Sequence, residues 1–199
     1  KKLRNQTGAG MMDCKKALTE TDGDFDNAIE VLRKKGQKVA AKRADRESSE
    51  GVTIARVSDD RKKGIVLSLN CETDFVAKND DFVKLATQLA DLALDVSSKD
   101  ELLKSKFDEK LSVEEKLTEQ TGVIGEKIEI GDFRVLKADF VGYYIHANNK
   151  IAVVAGLSKA VDEAEEAAKE VAMQAAAMNP LALNEDEIPQ DVVNKEIEI

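Results

Sequence analysis

A chain of 199 residues with 42% apolar residues, 35% charged residues and two prolines has the composition of a folded globular protein of one or two domains, not of a disordered polymer. No apolar run approaches the roughly 18 residues of a spanning helix, which argues against a membrane partner. The net charge of −9 is uneven: residues 1–46 hold twelve Lys/Arg against seven Asp/Glu, and the remainder eighteen against thirty-two, so that a basic head precedes an acidic body.

That body would repel a phosphate backbone, and no aromatic residues alternate with the lysines to stack bases, so no direct nucleic-acid binding is expected. The N-terminus, Lys1-Lys2-Leu3-Arg4, enters a polar helix without a signal-peptide core, and Cys14 and Cys71 form neither a CxxC pair nor a disulfide framework. A cytoplasmic chain with two buried thiols follows as the expectation.

In chain order, Thr7-Gly8-Ala9-Gly10 breaks the first helix and Met11 to Thr19 starts a second, with Met11, Cys14 or Lys15, and Leu18 at helical spacing. Asp22-Gly23 reads as a turn and Asp24 as the cap of a third helix, in which Phe25, Ala28, Ile29 and Leu32 fall at i, i+3, i+4 and i+7. Gly36 is placed to end that helix with a positive φ. Residues 1–36 are thus expected to form a three-helix domain, and residues 37–50, charged and poor in apolar positions, a partly helical linker.

Beyond Glu50 the period changes to two. Val52 to Val57 and Ile65 to Leu69 read as strands of a hairpin, followed by a helix capped by Asp80 or Asp81 with Phe82, Leu85, Ala86, Leu89, Ala90 and Ala93 on its buried face. The order returns with Gly142 to His146, a turn at Asn148-Asn149-Lys150, Ile151 to Ala155, and a helix bearing Ala164, Ala167, Ala168, Val171, Ala172, Ala175 and Ala176. An α+β fold is expected, in which the core holds two duplicated strand-strand-helix subdomains: residues 51–111, and residues 112–199 as a copy incomplete at its C-terminal end. Between them, Ser98 to Glu101 and Ser112 to Glu115 match capping boxes, and Lys127 to Phe140 carries a further β-type stretch around Gly131-Asp132. The tail after Pro180 starts one more helix, around Ile188 to Ile199.

Catalytic signatures are missing. There is no GxxxxGK[S/T], GxSxG or HExxH pattern, and a single histidine, His146, cannot build a multi-histidine metal site; it reads as a structural residue. No catalytic residue, metal or cofactor is therefore assigned, and an enzyme ranks last. Phe75-Val76 stands out instead, set among polar residues in the Asn70 to Asp80 join and off the period of the following helix. The equivalent join of the second copy, Gly156 to Val161, has no aromatic, so the fold does not demand one. Phe75 either tucks under its own helix or is an anchor for a partner. Met11-Met12 presents the same choice, since adjacent helical residues point in different directions; both pack inside the small domain, or one is exposed. Lys34-Lys35 and Lys38 to Arg43 read as a solvated face.

These residues also carry a resemblance. Leu3-Arg4 with Thr7 to Leu18, Gly23-Asp24 with Ala28-Ile29, Asn70-Cys71-Glu72-Thr73-Asp74-Phe75-Val76-Ala77, and more weakly Ile124-Gly125-Glu126-Lys127-Ile128 closely resemble bacterial elongation factor Ts sequences, the guanine-nucleotide exchange factors of elongation factor Tu. The resemblance implies an N-terminal domain of the ubiquitin-associated type that docks on the G domain of elongation factor Tu, GDP-bound or nucleotide-free, here through Met11, Met12 and Lys15. It also implies that Thr73, Asp74, Phe75 and Val76 enter near the partner's magnesium and phosphate site, with Asp74 and Phe75 leading, and release magnesium and GDP. Members of this family continue into a coiled-coil hairpin, a return strand and a C-terminal module, so a shortened chain is expected; a homodimer of the full-length protein stays open. Two rivals remain: a helical adaptor using the Met11-Met12 surface, whose binding ignores nucleotide, and a ribosome-associated module using the basic head, whose binding falls steeply with salt.

Overall fold

Three short helices of marginal intrinsic stability share one core at the start of the chain. In the structure, a computed structural model that describes residues 1–198, these are α1 (Lys2–Thr7), α2 (Met11–Glu20) and α3 (Phe25–Arg43), closed around Leu3, Ala9, Cys14, Ala17 and Ala28. Gly8 ends α1 at φ 68°, and the Asp24 carboxylate accepts the Asn27 amide at 3.0 Å to start α3. Two expectations change here. The buried face of α2 is Cys14 and Ala17, with Met11 outside it. And α3 does not stop at Gly36: it runs to Arg43, absorbing half of the expected linker. Gly36 lies within the helix against Gly122, so a tertiary contact overrides its poor helix propensity.

The next unit is a sheet of order β1-β2-β3, all antiparallel, built from β1 (Glu50–Val57), β2 (Lys63–Cys71) and β3 (Glu129–Lys137). Between β2 and β3 come α4 (Asp74–Ala77), α5 (Asp80–Ala93), α6 (Lys99–Lys104) and α7 (Val113–Ile124). The face of α5 from Phe82 to Ala93 is buried as expected, but Asn79, not Asp80 or Asp81, caps it by accepting the Asp81 amide at 2.8 Å. Ser112 and Glu115 close a full capping box on α7; at α6, Ser98 takes the Glu101 amide while Glu101 reaches the Ser97 amide instead of closing the box. The stretch around Gly131-Asp132 is a bulge within β3, stitched to β2 by the Asp132 amide donating to Ser68 Oγ at 2.7 Å. Val113 and Leu117 of α7, with Ile128 and Ile130, share the core of Ile65, Leu67 and Leu89, so the division expected at 111/112 runs through this core.

A second sheet pairs β4 (Phe140–His146) with β5 (Ile151–Leu157), joined through Ala147, Asn148 and Asn149 at φ 48°, 53° and 64°. On it lies α8 (Ala164–Met178), followed by a 3-10 turn at Glu185–Glu187 and α9 (Gln190–Glu198). Ile199, the end of the expected tail helix, lies outside the described residues. Ala164, Ala168 and Ala172 form the buried stripe of α8; Ala167 and Val171, expected on it, are exposed. The line of contact is narrow because the approach is close: a Cβ on Gly142 would stand 2.5 Å from that of Ala168. The Thr53 amide donates to the Asn149 carbonyl, and the Val141 amide to the Arg61 carbonyl, each at 2.6 Å, binding the two sheets together. The fold is therefore α+β, with the strand-strand-helix order present in both units.

Candidate functional site

Where β2 ends, Cys71 is buried and its thiol donates to the Thr73 carbonyl at 3.2 Å. Burial, reinforced by the charge of Glu126, pushes that thiol up to about 11, which makes it an anchor and not a nucleophile. The chain then makes one helical turn, α4. Ala77 is buried and Val76 packs against the core, so the remaining positions face outward. Phe75 is 83% exposed, so it does not tuck under its own helix. Asp74 is half exposed and pairs with Lys78 at 2.6 Å; this contact holds the Asp74 carboxyl below its ordinary range and raises Lys78.

A single turn is not stable by itself, and this one is held from outside. Thr73 occupies the N-cap position, yet its hydroxyl does not cap the turn; it donates to Glu126 Oε1 at 2.7 Å. Glu126 Oε2 accepts the amides of Glu72 and Thr73 at 3.1 and 3.0 Å. In return the Glu72 carboxylate accepts the Lys127 amide at 2.7 Å, and Arg43 at the end of α3 donates to both of its oxygens at 2.9 and 2.7 Å. The Lys127 amide, and then Arg43, hold Glu72 below the usual carboxylate range against the opposing effect of desolvation. Glu126 is itself placed by the end of α7. Gly125 takes φ 82° with its amide on the Thr121 carbonyl, and the buried Thr121 hydroxyl accepts the Ile128 amide at 3.2 Å.

The other predicted surface lies on α2. Met11 and Met12 are 70% and 60% exposed and Lys15 is exposed beside them, so neither methionine packs inside the small domain. The structure gathers Thr73 to Val76 on one turn and Met11, Met12 and Lys15 on one end of a different helix. His146 is exposed, its Nδ1 2.8 Å from the Tyr144 hydroxyl, in line with a structural role. Among the described residues, no three His, Cys, Asp or Glu side chains are grouped to hold a metal ion, and no helix is long and apolar enough to cross a membrane. Sequence reasoning missed Glu126, Glu72 and Arg43 as members of the site. Arg43 was expected on a solvated face, and the contacts of Glu72 and Glu126 span 29 to 55 residues, beyond any local periodicity.

Comparison with known proteins supplies the context for this loop. A family model described as elongation factor TS matches residues 72–199, starting just ahead of the braced turn. The elongation factor Ts of Christiangramia forsetii is 71% identical over 198 residues, covering 100% of this chain and 72% of that protein. That of Flavobacterium psychrophilum is 61% identical with the same coverage, and that of Clostridium botulinum strain Eklund 17B is 46% identical over 205 residues, covering 68% of its length.

Proposed function

Because this chain belongs to the elongation factor Ts family, we propose that it is a translation elongation factor that exchanges guanine nucleotide on elongation factor Tu, with the Thr73 to Val76 turn as its lever. The observation that carries this reading is Phe75: a large apolar ring, 83% exposed, on a turn whose next two residues are tied into the core. An exchange factor needs no nucleotide loop and no catalytic group. It must bind the nucleotide-free partner more tightly than the GDP-bound one, and linkage then weakens GDP by the same factor. Burying one phenylalanine supplies about 1.5 to 3 kcal/mol, or roughly 10- to 100-fold if the burial occurs only in the nucleotide-free complex.

In this reading the three-helix head, of the ubiquitin-associated type, docks on the G domain through Met11, Met12 and Lys15. The core delivers Phe75, and Asp74 arrives beside the magnesium site already ionised by Lys78. Exposed methionine suits such docking because its flexible thioether fits an irregular surface. The supporting experiment follows release of a fluorescent GDP analogue from elongation factor Tu on adding this chain or its Phe75→Ala form. We expect acceleration by the unsubstituted chain and a loss of about 10- to 100-fold in the variant. Equal rates for the two would refute the lever; binding that ignores nucleotide would favour the adaptor.

A further inference from the structure

A one-turn helix offering a large side chain to a partner can push only if it does not yield. The turn's own groups do not provide that rigidity: four residues form no stable helix, and the Thr73 hydroxyl is turned away from the cap. The rigidity comes from two carboxylates that reach across between segments. Glu126 takes the Glu72 and Thr73 amides and the Thr73 hydroxyl, while Glu72 takes the Lys127 amide, so each carboxylate binds backbone adjoining the other. The arrangement works like a capping box between two loops 54 residues apart. Hydrogen bonds from backbone amides to a carboxylate are charge-assisted, and such bonds are shorter and stronger than neutral ones. Arg43 ties the pair to the end of α3, and nearby the Lys127 ammonium donates to the Arg46 carbonyl at 3.2 Å and Ser48 donates to Glu129.

We propose that Glu126 is the positioning residue of the lever: by holding Thr73 from outside the turn, in a brace completed by Glu72 and Arg43, it keeps Phe75 in the posture that displaces nucleotide. The part of this that concerns exchange rests on the function proposed above. Glu126 touches neither partner nor nucleotide in this role; it acts through Thr73.

The test uses the full chain in three forms, unsubstituted, Glu126→Ala and Glu126→Gln, with two readouts. The first is amide hydrogen exchange of the isolated chain. Glu126→Ala should speed exchange over residues 72–77 by about tenfold, while the β1–β2 amides keep their protection and report that the fold is intact. Glu126→Gln keeps one oxygen for the two amides, which share Oε2, but loses the charge and turns a donor toward the Thr73 hydroxyl, and should fall between the two. The second readout is GDP release from elongation factor Tu as a function of chain concentration. The maximal rate should fall about tenfold in Glu126→Ala with a nearly unchanged half-saturating concentration, because the docking surface on α2 is untouched. Unchanged exchange over residues 72–77 would overturn the brace. A loosened turn with an undiminished maximal rate would overturn the positioning role. If the unsubstituted chain releases no GDP, the exchange reading fails, and the hydrogen-exchange readout still decides whether Glu126 sets the turn.

Discussion

Gly36 of α3 and Gly122 of α7 meet backbone to backbone, and the contact is asymmetric. A Cβ on Gly122 would overlap the Gly36 Cα, whereas one on Gly36 would find its nearest neighbours, the Thr118 carbonyl and the Gly122 Cα, at 3.5 and 3.6 Å, ordinary van der Waals separations. Gly122→Ala should therefore destabilise the chain by about 1 to 2 kcal/mol, overpacking against backbone outweighing the gain in helix propensity. Gly36→Ala should be neutral or stabilising by up to about 1 kcal/mol, because the helix passes straight through that position. Denaturant unfolding of the two variants decides this. A large loss in Gly36→Ala would mean that α3 ends there after all.

Phe75 and Val76 are neighbours with opposite duties. Phe75→Ala removes an exposed ring and should leave unfolding free energy within about 0.5 kcal/mol of the unsubstituted chain. Val76→Ala removes methyls packed against the core and should cost about 1 kcal/mol. Thermal unfolding beside GDP release separates them: activity lost at full stability for Phe75, and stability lost for Val76.

The brace should respond to acid in a defined direction. Glu72 titrates below its ordinary value in the folded chain, so above about pH 4.3 both folded and unfolded chains are ionised there and its stabilisation is complete. As pH falls below that value the unfolded chain takes up its proton first, and the contribution declines until the folded carboxylate is protonated as well. Carbon NMR of the Glu72 carboxyl should give a midpoint below the ordinary glutamate range. Arg43→Met should raise it only part of the way, since the Lys127 amide is the larger cause. A midpoint at or above the ordinary range would count against the brace.

Met11 and Met12 offer a separable handle. Replacing both by serine should weaken binding to elongation factor Tu by about tenfold, seen by calorimetry, while unfolding shifts little because both side chains are exposed. In release kinetics this pair should raise the half-saturating concentration, whereas Phe75→Ala should lower the maximal rate.

Much of the candidate site is legible in the sequence. Phe75 breaks the helical period around it and lacks a counterpart at Gly156 to Val161, and its exposure follows from the same anomaly. Both methionines proved exposed because α2 turns Cys14 and Ala17 to the small core of the head, where Leu3, Ala9 and Ala28 join them and Leu18, Phe25, Ile29, Val31 and Leu32 pack around. The supporting carboxylates were not visible: a glutamate that binds backbone amides has the same local signature as one in water.

By itself the sequence determined most of the elements and their kind, though not the turn of α4, since the period of apolar residues, the Asp24 and Ser112 caps and the glycine and asparagine turns act within a few residues of chain. It also singled out Phe75 as the aromatic off the helical period, and left open whether that ring packs inward. Only the tertiary structure decided that α3 runs on past Gly36, that α7 and β3 complete the first sheet and its core, and that α8 touches its sheet along one alanine line. Each of these turns on how closely two distant backbones approach, or on where a carboxylate finds donors far along the chain. Such free energies belong to pairs of segments, and no single stretch of residues encodes them.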